Sequence, residues 1–227
     1  MNIMALDTSS RCGSIALYSN DRITFISYLD IQLTHSERLL PQIDFGLQQS
    51  SLIPVDLDLI CLSNGPGSFT GTRIGLATAK GICMGNEIPL QPYNTLAVLA
   101  HNVFLPALPV LVMMDARMNE VYAALYAQDY KELIPPGNYN PEDILSLVKE
   151  TCLIIGDGYR RFTTEISRSG IKYIPVPENL NVPLAATMIG MFLQSDEKPD
   201  YDFNFISQLE PYYFRKSQAE LVKERRS

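Results

Sequence analysis

Residues 3–9, IMALDTS, form an apolar run that ends in Asp7-Thr8-Ser9. Four consecutive apolar residues predict a buried strand, and the polar residues after them predict a loop at its carboxyl end. Two more apolar runs, residues 14–18 and 23–29, follow on either side of the turn residues Ser19-Asn20-Asp21. Three short strands joined by tight turns predict an antiparallel meander at the start of the chain.

The pattern then changes to alternating helices and strands. Thr34-His35-Ser36-Glu37 matches a helix capping box, in which Glu37 reaches back to the cap residue, and it predicts a helix over about 34–50. Four leucine and isoleucine residues recur on one face of this helix: Leu39, Leu40, Ile43 and Leu47. A strand is predicted over 57–62 and a second helix over about 70–85, with Gly85 as its C-terminal cap.

The second half of the chain repeats this plan. An apolar strand over 108–114 ends at Asp115-Ala116, strands over 120–127 and 131–134 follow, and helices then alternate with strands. A duplicated β-β-β-α-β-α unit predicts an α/β protein of the actin-like ATPase (ribonuclease H-like) fold. We expect two duplicated lobes, residues 1–103 and 104–227, each with a mixed sheet and flanking helices. We also consider that the C-terminal segment packs back on the first lobe.

Composition limits the classes of function. The chain has 227 residues, 46% of them hydrophobic, and a formal net charge of −7. Because binding a nucleic-acid backbone requires a positive field, this chain is not expected to hold a nucleic acid alone. Its four cysteines form no C-x-x-C pair, and Pro106 and Pro109 interrupt the apolar stretch over 96–114. We therefore expect a cytoplasmic protein without a membrane span.

The most specific motif is the glycine-rich stretch over residues 65–75, GPGSFTGTRIG. Its glycines and proline predict a tight turn, and Ser68 or Thr70 is placed to cap the helix that follows. A loop before a helix N-terminus resembles a phosphate cradle, but the Walker A lysine is missing, so a structural turn is favoured. The residues assigned to this turn are Gly65, Pro66, Gly67, Ser68, Phe69 and Thr70.

Small residues recur every four positions in the second helix, at Gly71, Gly75 and Ala79. Glycine costs about 1 kcal/mol in a helix interior, so several glycines in one helix predict a close approach of another backbone. This helix and the capped helix are therefore candidates for a surface that pairs with another protein. The alternative is that both helices only cover the sheet.

Several motifs together resemble the TsaB (YeaZ) family, in order and spacing over nearly the whole chain. They are Asp7-Thr8-Ser9, His35-Ser36-Glu37-Arg38-Leu39-Leu40-Pro41, the glycine-rich stretch over 65–75, Asp115-Ala116-Arg117-Met118-Asn119-Glu120-Val121-Tyr122 and Pro211-Tyr212-Tyr213-Phe214-Arg215. Thr72 departs from the family, which more often has an aliphatic residue there. TsaB is a non-catalytic paralogue of TsaD in the actin-like, former glycoprotease superfamily.

The resemblance implies a role in tRNA modification. It implies a non-catalytic subunit that binds and activates a TsaD-like partner, which transfers threonylcarbamoyl to the adenosine beside the anticodon. A TsaE-like ATPase joins the complex, tRNA is met only within it, and a homodimer through the same helices is an alternative pairing. The first two helices form the family's pairing surface. The residues assigned to it here are His35, Arg38, Leu39, Ile43, Gly71, Arg73, Gly75 and Ala79.

No catalytic, metal or cofactor residue is assigned. The catalytic relative's metal-binding histidine pair falls here on Thr95 and Leu99, which do not provide the required ligands. The residues Asp7, Thr8, Ser9 and Asp115 are interpreted as a relic cleft, because the turns that follow Asp7 and Asp115 lack the glycines of actin-like phosphate loops. The alternative is a small actin-fold kinase or ATPase that acts alone. We expect Gly75→Leu to abolish pairing and to leave the fold largely intact.

Overall fold

The computed structural model describes residues 1–31 and 34–214. Arg215 and the rest of the predicted second lobe's C-terminal tail lie outside this range. The first half of the chain contains five strands and three helices: β1 Ile3–Asp7, β2 Gly13–Ser19, β3 Arg22–Leu29, α1 His35–Gln49, β4 Leu59–Ser63, α2 Phe69–Asn86, β5 Leu90–Tyr93 and α3 Thr95–His101.

The second half contains five more strands and five helices in the described range. They are β6 Val110–Asp115, β7 Val121–Tyr126, β8 Glu132–Tyr139, α4 Pro141–Leu147, β9 Cys152–Ile155, α5 Gly158–Arg161, α6 Thr163–Ser169, β10 Tyr173–Pro175, α7 Ala185–Gln194 and α8 Phe203–Gln208. Short 3₁₀ helices lie at Pro54–Asp56 and Glu178–Leu180. Each helix in the described residues falls short of the length and hydropathy that crossing a bilayer requires.

The ten strands form two five-stranded sheets with the same topology. The orders are β3-β2-β1-β4-β5 and, read from the other edge, β8-β7-β6-β9-β10. In each sheet the first three strands pair antiparallel, and the fourth and fifth continue in parallel. The duplicated plan and the predicted actin-like fold class are therefore confirmed.

Helices cover both faces of the first sheet. Leu39, Ile43 and Leu47 of α1 and Leu76 of α2 belong to one apolar core with β1, β2 and β4. The opposite face packs against α7, whose Met188 is fully buried. Both α7 and α8 follow the second sheet in the chain, yet α7 packs on the first sheet and α8 packs on α2.

Two local predictions differ from the structure. Helix α2 ends at the left-handed residue Glu87 (φ 55°), whereas Gly85 remains inside the helix, so the predicted glycine cap is wrong. Strand β8 extends to Tyr139, five residues beyond the predicted end at Ile134, and includes Pro135 and Pro136. An edge strand tolerates prolines because its outer amides have no ladder partner.

Candidate partner interface and relic cleft

The first polar turn lies at the carboxyl end of β1 and is closed to solvent. Asp7 is completely buried, and its Oδ1 accepts hydrogen bonds from Ser9 Oγ (2.6 Å) and Ser9 N (3.3 Å). Burial raises the pKa of Asp7 to about 6, and the bonds from Ser9 only partly oppose this rise. Oδ2 has no hydrogen-bond partner among the described residues. The carboxyl group is thus part of the core of this turn.

Helix α2 contacts this turn directly, and this contact explains two of its glycines, Gly71 and Gly75. Thr8 Oγ1 donates to the carbonyl of Gly71 at 2.7 Å. A Cβ atom on Gly71 would lie 2.0 Å from Thr8 O, and one on Gly75 would lie 2.2 Å from Thr8 Oγ1. Only glycine fits at either position, so the close backbone approach that the sequence predicts is made within this chain.

The glycine-rich loop is enclosed between the first turn and the C-terminal segment. Ser68 N donates to Ser9 O (2.6 Å), and Ser68 Oγ, the helix cap, accepts from Gly71 N (3.2 Å). A Cβ on Gly67 would lie 2.2 Å from Ser9 O, and one on Gly65 would lie 2.7 Å from Tyr212 O. At the start of α2, the amides of Ser68 and Gly71 are therefore already bonded to oxygens of this chain.

The second polar turn is neutralised by an arginine. Arg161 Nη1 donates to both carboxylate oxygens of Asp115 at 2.8 Å, and Arg117 N donates to Asp115 Oδ1 at 2.8 Å. The neighbouring Asp157 accepts from Asp115 N, and burial raises the pKa of Asp157 above its usual range. Sequence reasoning missed Arg161, because it lies on another element, 46 residues from Asp115.

The N-terminus of α1 carries the predicted capping box and a buried arginine. Thr34 N and Thr34 Oγ1 donate to Glu37 Oε2 at 2.8 and 2.6 Å, which confirms that Glu37 reaches back to the cap. Arg38 is 5% exposed and donates to the carbonyls of Leu29 (2.8 Å) and Arg11 (2.7 Å). It therefore ties α1 to the end of β3 and to the first turn.

His35 lies beside this arginine and is held neutral. Its Nδ1 is 3.1 Å from Arg38 Nη2, and its Nε2 is 2.8 Å from Ser10 O. A guanidinium only donates, so Nδ1 accepts and the ring proton lies on Nε2, which donates to Ser10. Burial chiefly lowers the pKa of His35, the positive charge of Arg38 lowers it further, and the bond to Ser10 opposes both.

The structure divides the eight residues assigned to the pairing surface. Arg73 is exposed and His35 is half-buried, and both lie near the N-terminal ends of α1 and α2. The other six are buried: Arg38, Leu39, Ile43, Gly71, Gly75 and Ala79. Gly71 and Gly75, which were assigned to this surface, contact Thr8 of the same chain. The expectation that Gly75→Leu leaves the fold largely intact is therefore corrected, because a leucine side chain cannot enter this packing without disrupting it.

The outward side of α1 instead carries apolar residues that sequence reasoning placed in the core or passed over. Leu40 is 58% exposed and Phe45 is 54% exposed, and Pro41 lies between them on the surface. A groove of about 530 Å³ between α1 and the edge strand β3 is lined by Phe25, Ile26, Leu29, Ile31, Pro41 and Phe45 among others. Apolar residues outside the core stripe of α1 were the signal for this surface.

The duplicated sheets define an actin-like protein of two lobes, in which Oδ1 of Asp7 after β1 and both carboxylate oxygens of Asp115 at the end of β6 accept hydrogen bonds from this chain. Among the described residues, no group of three or more histidine, cysteine, aspartate or glutamate side chains is arranged to hold a metal ion. The family model described as "TsaD: tRNA N6-adenosine threonylcarbamoyltransferase" matches residues 30–190.

Comparison with similar proteins of known family identifies the family of this chain. The chain is 32% identical over 177 residues to the tRNA threonylcarbamoyladenosine biosynthesis protein TsaB of Haemophilus influenzae, covering 72% of this chain and 75% of that protein. It is 34% identical to TsaB of Bacillus subtilis, covering 66% and 67%. A crystal structure of a YeaZ-like protein from Pseudomonas aeruginosa superposes with a TM-score of 0.78 at 24% identity, covering 94% and 99%. The chain belongs to the TsaB family of tRNA threonylcarbamoyladenosine biosynthesis proteins.

Proposed function

We propose that this chain is the non-catalytic subunit required for threonylcarbamoyl transfer to tRNA, and that it acts by binding and activating a TsaD-like catalytic partner. The observation that carries the proposal is the state of the two polar turns. Both carboxylate oxygens of Asp115 accept from Arg161, and Asp7 is completely buried and bonded by Ser9, so neither carboxylate is presented free to a substrate or a metal ion.

The positions of the catalytic relative's metal pair support the same conclusion. Thr95 is completely buried, and its Oγ1 lies 2.8 Å from Ser63 Oγ. Leu99 is completely buried within an apolar cluster between α3 and the second sheet. A hydroxyl already bonded inside the protein and an aliphatic side chain give a metal ion no ligand pair.

The proposed partner surface is the outward side of α1 and the N-terminal part of α2. Leu40 and Phe45 are large, exposed and apolar, and His35 and Arg73 lie nearer the N-terminal ends of α1 and α2. The buried members of the predicted set support this surface from below. Without a partner, the same surface is available for self-pairing, because an actin-like copy presents it as well.

The remaining parts of the proposal concern the complex. A TsaE-like ATPase joins it, and tRNA binds through the partners' positive surface because this chain carries a net charge of −7. We place the complex in the cytoplasm, and we place the boundary of the two lobes between α3 and β6, near residue 103. The chain uses no cofactor of its own in this scheme.

The test is reconstitution of threonylcarbamoyl transfer with the cognate TsaD-like and TsaE-like proteins, with and without this chain. We expect modified tRNA only when the chain is present, and none from the chain alone. Equal modification without it would refute the proposal. The alternative of a solitary kinase or ATPase is tested by thermal shift, because ATP at a hundred times its dissociation constant would stabilise the fold by about 2.7 kcal/mol.

A further inference from the structure

Three side chains form a compact cluster at the start of α2, which we call the Arg73 cluster: Phe69, Arg73 and Tyr213. The Arg73 guanidinium carbon lies 3.7 Å from the Phe69 ring centroid, within the range of a cation–π contact. Arg73 Nε donates to Tyr213 Oη at 2.9 Å, and the two aromatic rings stack with centroids 5.1 Å apart. The guanidinium is therefore held in position by two aromatic residues.

The C-terminal segment is itself fixed, so Tyr213 is a firm support for Arg73. Tyr212 N donates to Asn64 O at 2.7 Å, and Asn64 Nδ2 donates to Glu210 O at 2.8 Å. Two turns further along α2 from Arg73, Lys80 Nζ donates to Ser207 O at 2.8 Å. Asn64 is buried, which protects the bonds that anchor the segment to the glycine-rich loop.

The charge of Arg73 is not neutralised within the described part of the chain. Four other arginines lie within 4 Å of a carboxylate: Arg11, Arg117, Arg160 and Arg161. Among the described residues, Arg73 has neither a carboxylate at this distance nor a second hydrogen-bond acceptor beyond Tyr213. Among the residues that the structure describes, its two terminal nitrogens therefore have no acceptor, although the chain as a whole is acidic.

We propose that the Arg73 cluster is the electrostatic anchor of the partner interface and that it binds an aspartate or glutamate side chain of the catalytic subunit. This inference rests on the proposed function and adds the chemistry of the contact and the C-terminal segment's part in it. A planar guanidinium pairs with a carboxylate through two parallel bonds. Because its side chain is already ordered, less conformational entropy is lost on binding, as at arginine hot spots ringed by aromatic residues.

The sequence and structure favour a protein carboxylate over a tRNA phosphate as the occupant. Binding to an RNA backbone depends on several cations that act together. The other charged residue of α2 is Lys80, whose Nζ donates to the carbonyl of Ser207. A single ordered arginine on a chain with a net charge of −7 suits one carboxylate better than a polyanion.

The experiment measures the dissociation constant between this chain and the cognate TsaD-like subunit by calorimetry without tRNA. The variants are Arg73→Lys, Arg73→Glu and Tyr213→Phe, and Arg168→Glu on the exposed side of α6 in the other lobe is the matched control. We expect about a hundredfold weakening for Arg73→Glu, about tenfold for Arg73→Lys, and a smaller loss for Tyr213→Phe, which keeps the stack but removes the bond to Nε. The control should bind as the wild type does, and thermal melts should show all variants folded.

The outcomes separate this inference from the proposed function. A charge swap identifies the bound group: if replacing one carboxylate residue of the partner by lysine restores pairing with Arg73→Glu, that residue is the one bound, and the anchor is supported. A dissociation constant of Arg73→Glu within twofold of the wild-type value would overturn the anchor. The proposed function would not be affected by that result, because the reconstitution experiment tests separately whether modification requires the chain. Normal pairing with a selective loss of tRNA affinity in the complex would overturn the anchor in favour of an RNA phosphate.

Discussion

The contact between α2 and the first turn predicts opposite effects of one substitution at two glycines of the same helix. Gly75→Ala places a methyl group 2.2 Å from Thr8 Oγ1, whereas Gly81→Ala meets no atom within 4 Å. Alanine gains up to about 1 kcal/mol over glycine from helix propensity alone. At Gly81, on the exposed side, this gain should appear as increased stability.

At Gly75 the steric effect should outweigh the gain. Thr8 is completely buried, its β-branched side chain has few rotamers, and its Oγ1 bonds the Gly71 carbonyl, so it cannot turn aside freely. Overpacking costs about 1–3 kcal/mol, and loss of the hydrogen bond costs about 1 kcal/mol more. We expect Gly75→Ala to destabilise by about 1–3 kcal/mol, so the two variants should differ by about 2–4 kcal/mol.

Urea denaturation of both variants, together with Thr8→Ala and the double variant, measures this difference. Thr8→Ala removes the atom that the new methyl group would meet, so the two substitutions should be less costly together than the sum of their separate effects. Equal stabilisation by Gly75→Ala and Gly81→Ala, or strict additivity with Thr8→Ala, would refute the account of why α2 contains its glycines.

Three further predictions concern pH and the partner surface. The pKa of the Asp7 carboxyl is raised to about 6, so the wild-type protein loses stability as the pH rises through this value. Asp7→Asn should therefore leave the free energy of unfolding unchanged near pH 4 and increase it by up to about 3 kcal/mol above pH 6, and parallel pH profiles of unfolding for variant and wild type would contradict this prediction. Since the pKa of His35 is lowered in the fold, stability should decline as pH falls below about 6.5, and His35→Gln should reduce that decline in the same titration. Leu40→Asp should weaken partner binding at least tenfold, and Leu133→Asp, on an equally exposed leucine of the other lobe, should not, as judged by calorimetry with melts to confirm folding.

The fold could be predicted from local patterns because the duplicated plan is written in short-range signals. The same order of elements occurs twice, starting at β1 and at β6. In both halves an apolar strand ends at an aspartate, two more strands follow, and helices then alternate with strands. The capping box at Thr34 set the start of α1 within one residue. These signals depend only on neighbouring residues, so they can be recognised in the sequence without the tertiary structure.

The orientation of the helices could not be predicted with the same success. Small residues at Gly71 and Gly75 indicate a close approach, but they do not say whether Thr8 or another protein makes it. Apolar periodicity grouped Leu39 and Leu40 together, although one is 3% and the other 58% exposed. The deciding contacts are long-range and appear only when the chain is folded.

Contacts between residues far apart in the chain could not be predicted from the sequence either. The pairing of Arg161 with Asp115 joins residues 46 apart, and the bond from Arg73 to Tyr213 spans 140. No spacing rule connects such pairs. The C-terminal tyrosines enter the sequence analysis only as part of a family motif, and the support that Tyr213 gives to an exposed arginine is visible only in the structure.

The central claim is that this chain activates its partner through its surface and performs no chemistry in its own cleft. Its most direct test is the rate of threonylcarbamoyladenosine formation on tRNA in the reconstituted system, with Asp115→Asn compared against Leu40→Asp. The account predicts near wild-type rates for the cleft variant at saturating partner and a strongly reduced rate for the surface variant at limiting partner. Loss of modification with Asp115→Asn in a folded, normally pairing protein, together with full activity of Leu40→Asp, would contradict the claim.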